Sequence, residues 1–297
     1  MNKYLVVLIL YYLTLVSFSQ EAAEVGRRSQ VLYVDHEPGN YHLTIPQKKK
    51  FLEMAKDQGW EVTVMTGTDQ EVIKKLGSGD YAKGYDIVVY NICVAKSNDL
   101  NAPYNIIRQT NELGVPALLL HGSLHSFWPT YKRGNNKKQI EGKVTPEGAH
   151  KKVVVDPELL KKWNVEHPNK AFPAWPNFTG LSSERHGPRK PLTVKALNPE
   201  HPILEGFKEF TTGETSELYN NVITSEDVPS VVPILEGRQV VKEGKVDTAV
   251  VLWEYDLKKA KTVSFTLGHD MNEWEMPEVQ ALIINSVKYL LDAGKTQ

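Results

Sequence analysis

The chain has 297 residues, with 35 Lys and Arg against 36 Asp and Glu and a net charge of −1. That balance excludes a partner held by neutralising phosphates, so no nucleic-acid ligand is expected. A single cysteine, Cys93, excludes an internal disulfide, and the absence of repeats or low-complexity runs leaves a chain long enough for one large α/β domain or two small ones.

Met1-Asn2-Lys3, an apolar stretch from Tyr4 to Phe18 and the small residues Ser17 and Ser19 predict a cleaved secretory signal peptide over 1–19. The stretch falls short of the roughly 20 apolar residues of a membrane span. No stable membrane anchor is expected, and the mature protein is placed in the periplasm or the medium.

"QVLYV" (30–34) predicts a first strand, and "PQKKKFLEMAKDQG" (46–59) a helix carrying Phe51, Leu52 and Ala55 at helical spacing before Gly59. "EVTVM" (61–65) alternates as a strand, "QEVIKKLG" (70–77) is a short helix, "YDIVVYN" (85–91) a buried strand and "YNIIRQTNELG" (104–114) a helix closed by glycine. "VPALLLHG" (115–122) is the fourth strand. Apolar strands alternating with helices predict a mostly parallel sheet flanked by helices. From 134 to 191 the periodicity fails, and a proline- and aromatic-rich insertion is expected with only "HKKVVVD" (150–156) strand-like. Strands return at "LTVKAL" (192–197), "SVVPILEG" (230–237), "TAVVLWEY" (248–255) and "KTVSFTLGH" (261–269). "PEVQALIINSVKYLLDAG" (277–294) is a last helix opened by proline.

In open parallel sheets ligands bind beyond the carboxyl ends of the strands. His36 and His42 follow the first strand, His121 and His125 the fourth, and His269 the strand "VSFTLG", so five of nine histidines are candidates for one rim. Imidazole there serves as general acid, general base or metal ligand. His121 and His125 share a face only if the chain between them is helical. With His269 they form a candidate site for a divalent metal, zinc or manganese; the alternative is one histidine donating to a carbonyl while the other packs. Trp274 and Trp128 are candidate sugar platforms, core packing being the alternative for each. Glu217 and Tyr219 in "TGETSELYNN" (212–221) are candidate substrate contacts. Phosphate-cradling glycine motifs and a G-x-S-x-G elbow are absent, although Ser123 stands at a comparable strand-to-helix bend.

The ordered set "NYH" (40–42), "LLLHGSLHSF" (118–127), "HPILEGF" (201–207), "SELYNN" (216–221), Leu252-Trp253 and "LGHDMNEW" (267–274) resembles the trehalose-utilisation, or ThuA-like, family, as one domain over about 29–294. The resemblance implies a flavodoxin-like sheet similar to that of class I glutamine amidotransferases. Those enzymes carry a cysteine nucleophile in the turn after the corresponding strand; this chain has His121-Gly122-Ser123 there, so it is not expected to be a glutamine amidotransferase. It also implies carbohydrate catabolism, a small-molecule carbohydrate as ligand and an upstream sugar oxidoreductase as partner. Its site residues, carried over by position, are His42, His121, His125, Glu217, Tyr219, Trp253 and His269. Ser216 stands where the family usually has an acidic residue, and "YDLKKAKT" (255–262) where it has a glycine- and arginine-rich turn.

The expectation is an exported enzyme acting on sugars or oxidised (keto) glycosides, as a hydrolase, lyase or isomerase. His121 and His269 are its base and acid or metal ligands, with His125 beside them, and His42, Glu217, Tyr219, Trp274 and Trp128 are its sugar contacts. A non-catalytic carbohydrate-binding or sensing protein on the same rim is the alternative.

Overall fold

The computed structural model describes residues 27–39, 41–131, 151–152, 155–183, 185–220, 222–224 and 231–295. The expected signal peptide (1–19), Asn40 of "NYH" and residues 150, 153 and 154 of "HKKVVVD" lie outside the described residues.

The first half alternates as the sequence predicts: β1 (Gln30–Asp35), α1 (Thr44–Asp57), β2 (Glu61–Met65), α2 (Asp69–Leu76), β3 (Ile87–Asn91), α3 (Asn101–Asn111) and β4 (Ala117–Leu120). Helix α2 starts at a capping box, Thr68 accepting from the Glu71 N–H while the Glu71 side chain returns to the Thr68 N–H. After β4 come short strands β5 (Lys151–Lys152) and β6 (Ser182–Ser183), helices α4 (Pro157–Glu166) and α5 (Pro176–Thr179), and β7 (Thr193–Ala196), β8 (Phe210–Thr211) and β9 (Val222–Thr224). The chain then forms β10 (Val232–Lys242), β11 (Lys245–Asp256), β12 (Lys261–Phe265), α6 (Met271–Trp274) and α7 (Pro277–Lys295).

Nine strands make one sheet in the order β2-β1-β3-β4-β12-β11-β10-β7-β8, and β5-β9-β6 make a small second one. The expected mostly parallel sheet is corrected to a mixed one. The ladders from β2 through β12 are parallel, and those from β12 through β8 are antiparallel. The cause is connection length. A parallel return needs a crossover of a dozen or more residues, whereas β10 and β11 are joined by only Glu243-Gly244, with Gly244 at φ 71°, in the left-handed region that favours glycine. The insertion also holds a helix the sequence reading missed. Asp156 caps α4 by accepting from the Glu158 and Leu159 N–H groups, with Pro157 at its first position.

Both faces of the sheet are covered. Val31 and Tyr33 of β1 point into a core with Phe51 and Met54 of α1 and Val279, Leu282, Ile283, Val287 and Leu290 of α7. Their neighbours Leu32 and Val34 point the other way, onto Val72 and Leu76 of α2, Ala102 and Ile106 of α3, and Trp175 and Phe178 of the insertion. The aromatics of "AFPAWPNFTG" therefore seal one face. The Trp175 indole N–H donates to Ser123 O at 2.9 Å, and that of Trp253 donates to Thr179 O at 2.7 Å.

Away from the strand ends, His201 caps the 3₁₀ turn Pro202–Leu204, its Nδ1 accepting from Ile203 N–H, while its Nε2 faces buried Glu254 at 3.6 Å. Burial opposes ionisation of Glu254. Hydrogen bonds from His201, Tyr289 and Lys261 outweigh it and hold the carboxyl down to about 2 from an ordinary 4.5. A carboxyl whose folded value is depressed stabilises the fold above its unfolded value and loses that contribution as pH falls through the folded one. The expected result is an acid-side loss on the order of 3 kcal/mol between about pH 4.5 and 2 that Glu254→Gln removes. Melting temperatures of both proteins across that range would check it, and parallel curves would refute it.

Candidate active site

Strands β1, β4 and β12 run parallel within one sheet, so their carboxyl ends lie along one edge. His42 comes from the loop after β1, His121 from the residue after β4 and His269 from the loop after β12. The sequence rule brings these three together. Glu217 and Tyr219 join them from the segment between β8 and β9, and both are buried.

The turn after β4 is a 3₁₀ helix, His121–His125, entered by His121 at φ 29°. Gly122 follows because nothing larger fits: a Cβ there would stand 2.7 Å from His42 Cδ2 and 2.9 Å from Cys93 Cβ. The tighter winding also separates the two histidines expected to pair. Residues four apart lie about 40° apart around an α-helix and about 120° apart at three residues per turn. His125 therefore turns away and stacks on the Tyr219 ring, with centroids 3.9 Å apart and planes at 12°. The metal set expected from the sequence is His121, His125 and His269; the three ring nitrogens that lie together among the described residues, all within 4.8 Å of one another, belong to His42, His121 and His269.

Hydrogen bonding fixes the tautomer of His121. Its Nδ1 lies 2.5 Å from Thr266 O, and a carbonyl only accepts, so Nδ1 carries a proton and the neutral ring has its lone pair on Nε2. Around Nε2 stand the Tyr219 hydroxyl at 2.9 Å, Glu217 Oε2 at 3.4 Å and His269 Nδ1 at 3.4 Å. Glu217 Oε2 is itself 3.3 Å from His269 Nδ1. The other oxygen of Glu217 accepts from Arg189 Nε at 3.0 Å and faces His186 Nε2 at 3.2 Å.

These contacts set the electrostatics. Burial opposes ionisation of Glu217, yet the His121 and His269 imidazoles beside it hold its carboxyl well below the usual range. Burial, and then the charge of Glu217, push the Tyr219 phenol up, so it remains a hydrogen-bond donor. Burial and the neighbouring His121 lower His42 to about 2 and His125 to about 3, so both are neutral. Neither ring nitrogen of His42 has a hydrogen-bond partner among the described residues.

Other candidates are engaged in packing and hydrogen bonds. Trp274 is 1% exposed inside the core and its indole N–H donates to Gly268 O at 3.0 Å, so it buttresses the His269 loop and has no face for a sugar. Trp128 is half-buried against the opposite core. The Ser123 hydroxyl donates to Tyr90 O and accepts from Ile92 N–H, which ties it down as a nucleophile. Burial raises the Cys93 thiol to about 12. His36 accepts from Cys93 N–H and pairs with Asp69. Sequence reasoning missed His186 and Arg189, which lie in the aperiodic insertion, where the only signal is the basic run "RHGPRK" (185–190). It also missed two supports of His269. Glu273 accepts from the Gly268 and His269 N–H groups and from Ser216 Oγ. Gln47, anchored by Asn91, donates to the Gly268 and His269 carbonyls.

Comparison with known proteins agrees with the resemblance seen in the sequence. A sequence model of the family described as trehalose utilisation, ThuA, matches residues 162–290. That span holds Glu217, Tyr219, Trp253 and His269, while His42, His121 and His125 precede it. No curated protein sequence matches the chain. A crystal structure of a thua-like protein from Parabacteroides merdae is similar in fold, with a TM-score of 0.61 at 13% identity, over 89% of this chain and 90% of that one.

Proposed function

From the premise that this chain is ThuA-like, we propose an enzyme of carbohydrate utilisation that acts on the carbonyl of an oxidised (keto) glycoside. The observation that carries the reading is the Nε2 lone pair of His121, fixed by Thr266 O and met by a protonated phenol, a carboxylate and a second imidazole. That set suits removal of a proton from carbon beside a carbonyl, which needs an acceptor for the proton and donors for the oxygen. The order β2-β1-β3-β4 in the parallel half supports the flavodoxin-like frame in which such a rim is expected.

In this reading the proton on the carbon between the carbonyl and the anomeric carbon passes to the His121 lone pair, or to a base that lone pair holds. The C–H electrons become the double bond of an enediolate whose oxygen accepts from Tyr219. The carbonyl then re-forms, a double bond extends to the anomeric carbon, and the glycosidic C–O bond breaks. The departing oxygen takes a proton from His269, giving an unsaturated keto sugar and the free alcohol without net oxidation. An upstream sugar oxidoreductase supplies the carbonyl. Export rests on residues 1–19, and sequencing the amino terminus of the mature protein tests it.

The test is release of alcohol from synthetic keto glycosides beside their unoxidised parents. Turnover of the keto forms alone is expected. Saturable binding without turnover would favour a carbohydrate-binding protein on the same rim, and equal turnover of parent and keto forms would remove the carbonyl from the mechanism.

A further inference from the structure

Nε2 of His121, Nδ1 of His269 and Oε2 of Glu217 form a nearly equilateral triangle with edges of 3.4, 3.4 and 3.3 Å. The three atoms come from three separated segments, so no local repeat imposes the spacing. Four ligands bound tetrahedrally at about 2.1 Å lie about 3.4 Å from one another, which is the geometry of zinc with nitrogen and oxygen donors. An ion could therefore sit just above the triangle's plane without moving any of the three.

Two more features have the form of a metal centre. Each of two triangle residues is oriented from behind: His121 donates Nδ1–H to Thr266 O, and Glu217 Oε1 is held by Arg189 and His186. Ligands of bound ions are commonly fixed through their other polar atom in this way. Beside the triangle stands His42, its ring 4.8 Å from that of His121 and 5.4 Å from that of His269, with both nitrogens buried and, among the described residues, without hydrogen-bond partners. Leaving such atoms unpaired costs stability unless something absent from the protein chain completes them.

We propose that His121, His269 and Glu217, with His42 as the fourth donor or as the partner of an ion-bound water, bind one divalent ion of the zinc class. Nitrogen-rich donors of this kind suit zinc and its transition-metal neighbours better than magnesium or calcium. The existence of the centre rests on the geometry. Its role rests on the function proposed above: His121 becomes a ligand, water on the ion becomes the proton acceptor, and the Tyr219 hydroxyl turns from Nε2 toward the ion's open side.

The experiment is calorimetric titration of chelator-stripped protein with zinc and manganese salts at neutral pH, beside elemental analysis of protein purified without chelator. One zinc ion per chain is expected, bound at least tenfold more tightly than manganese, with a rise in melting temperature on binding. His269→Asn, His42→Asn and Glu217→Gln should each weaken zinc at least tenfold. His125→Phe, which keeps the ring against Tyr219, should bind as the parent does, opposite to the pairing expected from spacing alone. Circular dichroism verifies that each variant is folded. Absence of stoichiometric zinc, or zinc that persists in folded His269→Asn and Glu217→Gln, overturns the centre. Binding is read without substrate, so inactivity on keto glycosides would sink the proposed reaction and leave the metal result standing, and the reverse also holds.

Discussion

His121→Asn lowers kcat/KM on a keto glycoside by about a thousandfold or more, roughly 4 kcal/mol of transition-state stabilisation, while leaving the fold intact. Asparagine is the informative replacement for two reasons. Its amide N–H₂ can take over the Nδ1–H donation to Thr266 O, so a buried carbonyl keeps its partner. It also tolerates the left-handed backbone at φ 29°, where Asn, Asp and His are the enriched non-glycine residues. What disappears is Nε2, the atom on which Tyr219, Glu217 and His269 converge. The loss should fall on kcat, because a group engaged mainly in the transition state leaves KM nearly unchanged. A variant that keeps more than a tenth of wild-type kcat would remove His121 from the reaction. One with a melting temperature lower by more than about 5 °C would point to a structural role instead.

The region of the pocket was legible because it depends on strand order, and strand order follows from apolar runs alternating with helices. His42, His121 and His269 follow the ends of β1, β4 and β12, and the rule that ligands gather at carboxyl ends needs only that much. The partnership among them was not legible. Spacing suggested His121 with His125, but pairing across four residues depends on the winding of the turn, and Gly122 sits in a tight 3₁₀ form against His42. Trp274 illustrates another limit: sequence shows an aromatic next to a site, whereas burial decides whether its face is available, and here the core holds it. His186 and Arg189 reach Glu217 from a stretch without period, where composition gives no direction to any side chain. The antiparallel half could have been read from the two-residue turn Glu243-Gly244, because so short a link forbids a crossover.

Glu273→Ala should cost about 3 to 4 kcal/mol of stability, on the order of 10 °C in melting temperature, although Glu273 is not one of the groups converging on His121 Nε2. The carboxylate is 1% exposed and accepts from Gly268 N–H at 3.1 Å, His269 N–H at 2.7 Å and Ser216 Oγ at 3.0 Å. Alanine leaves two backbone donors and a hydroxyl without their acceptor, each penalised by about 1 to 3 kcal/mol when water cannot replace it. Part of that is offset, because burial already pushes the Glu273 carboxyl above its ordinary value and so weakens what its charge contributes. The same three bonds tie the His269 loop to the residue preceding Glu217, so the triangle should loosen together with the fold. Glu273→Gln keeps one acceptor oxygen and should cost about half as much. If thermal melts show Glu273→Ala within about 1 kcal/mol of wild type, water reaches these donors, and Gln47 with Asn91 must hold His269 instead.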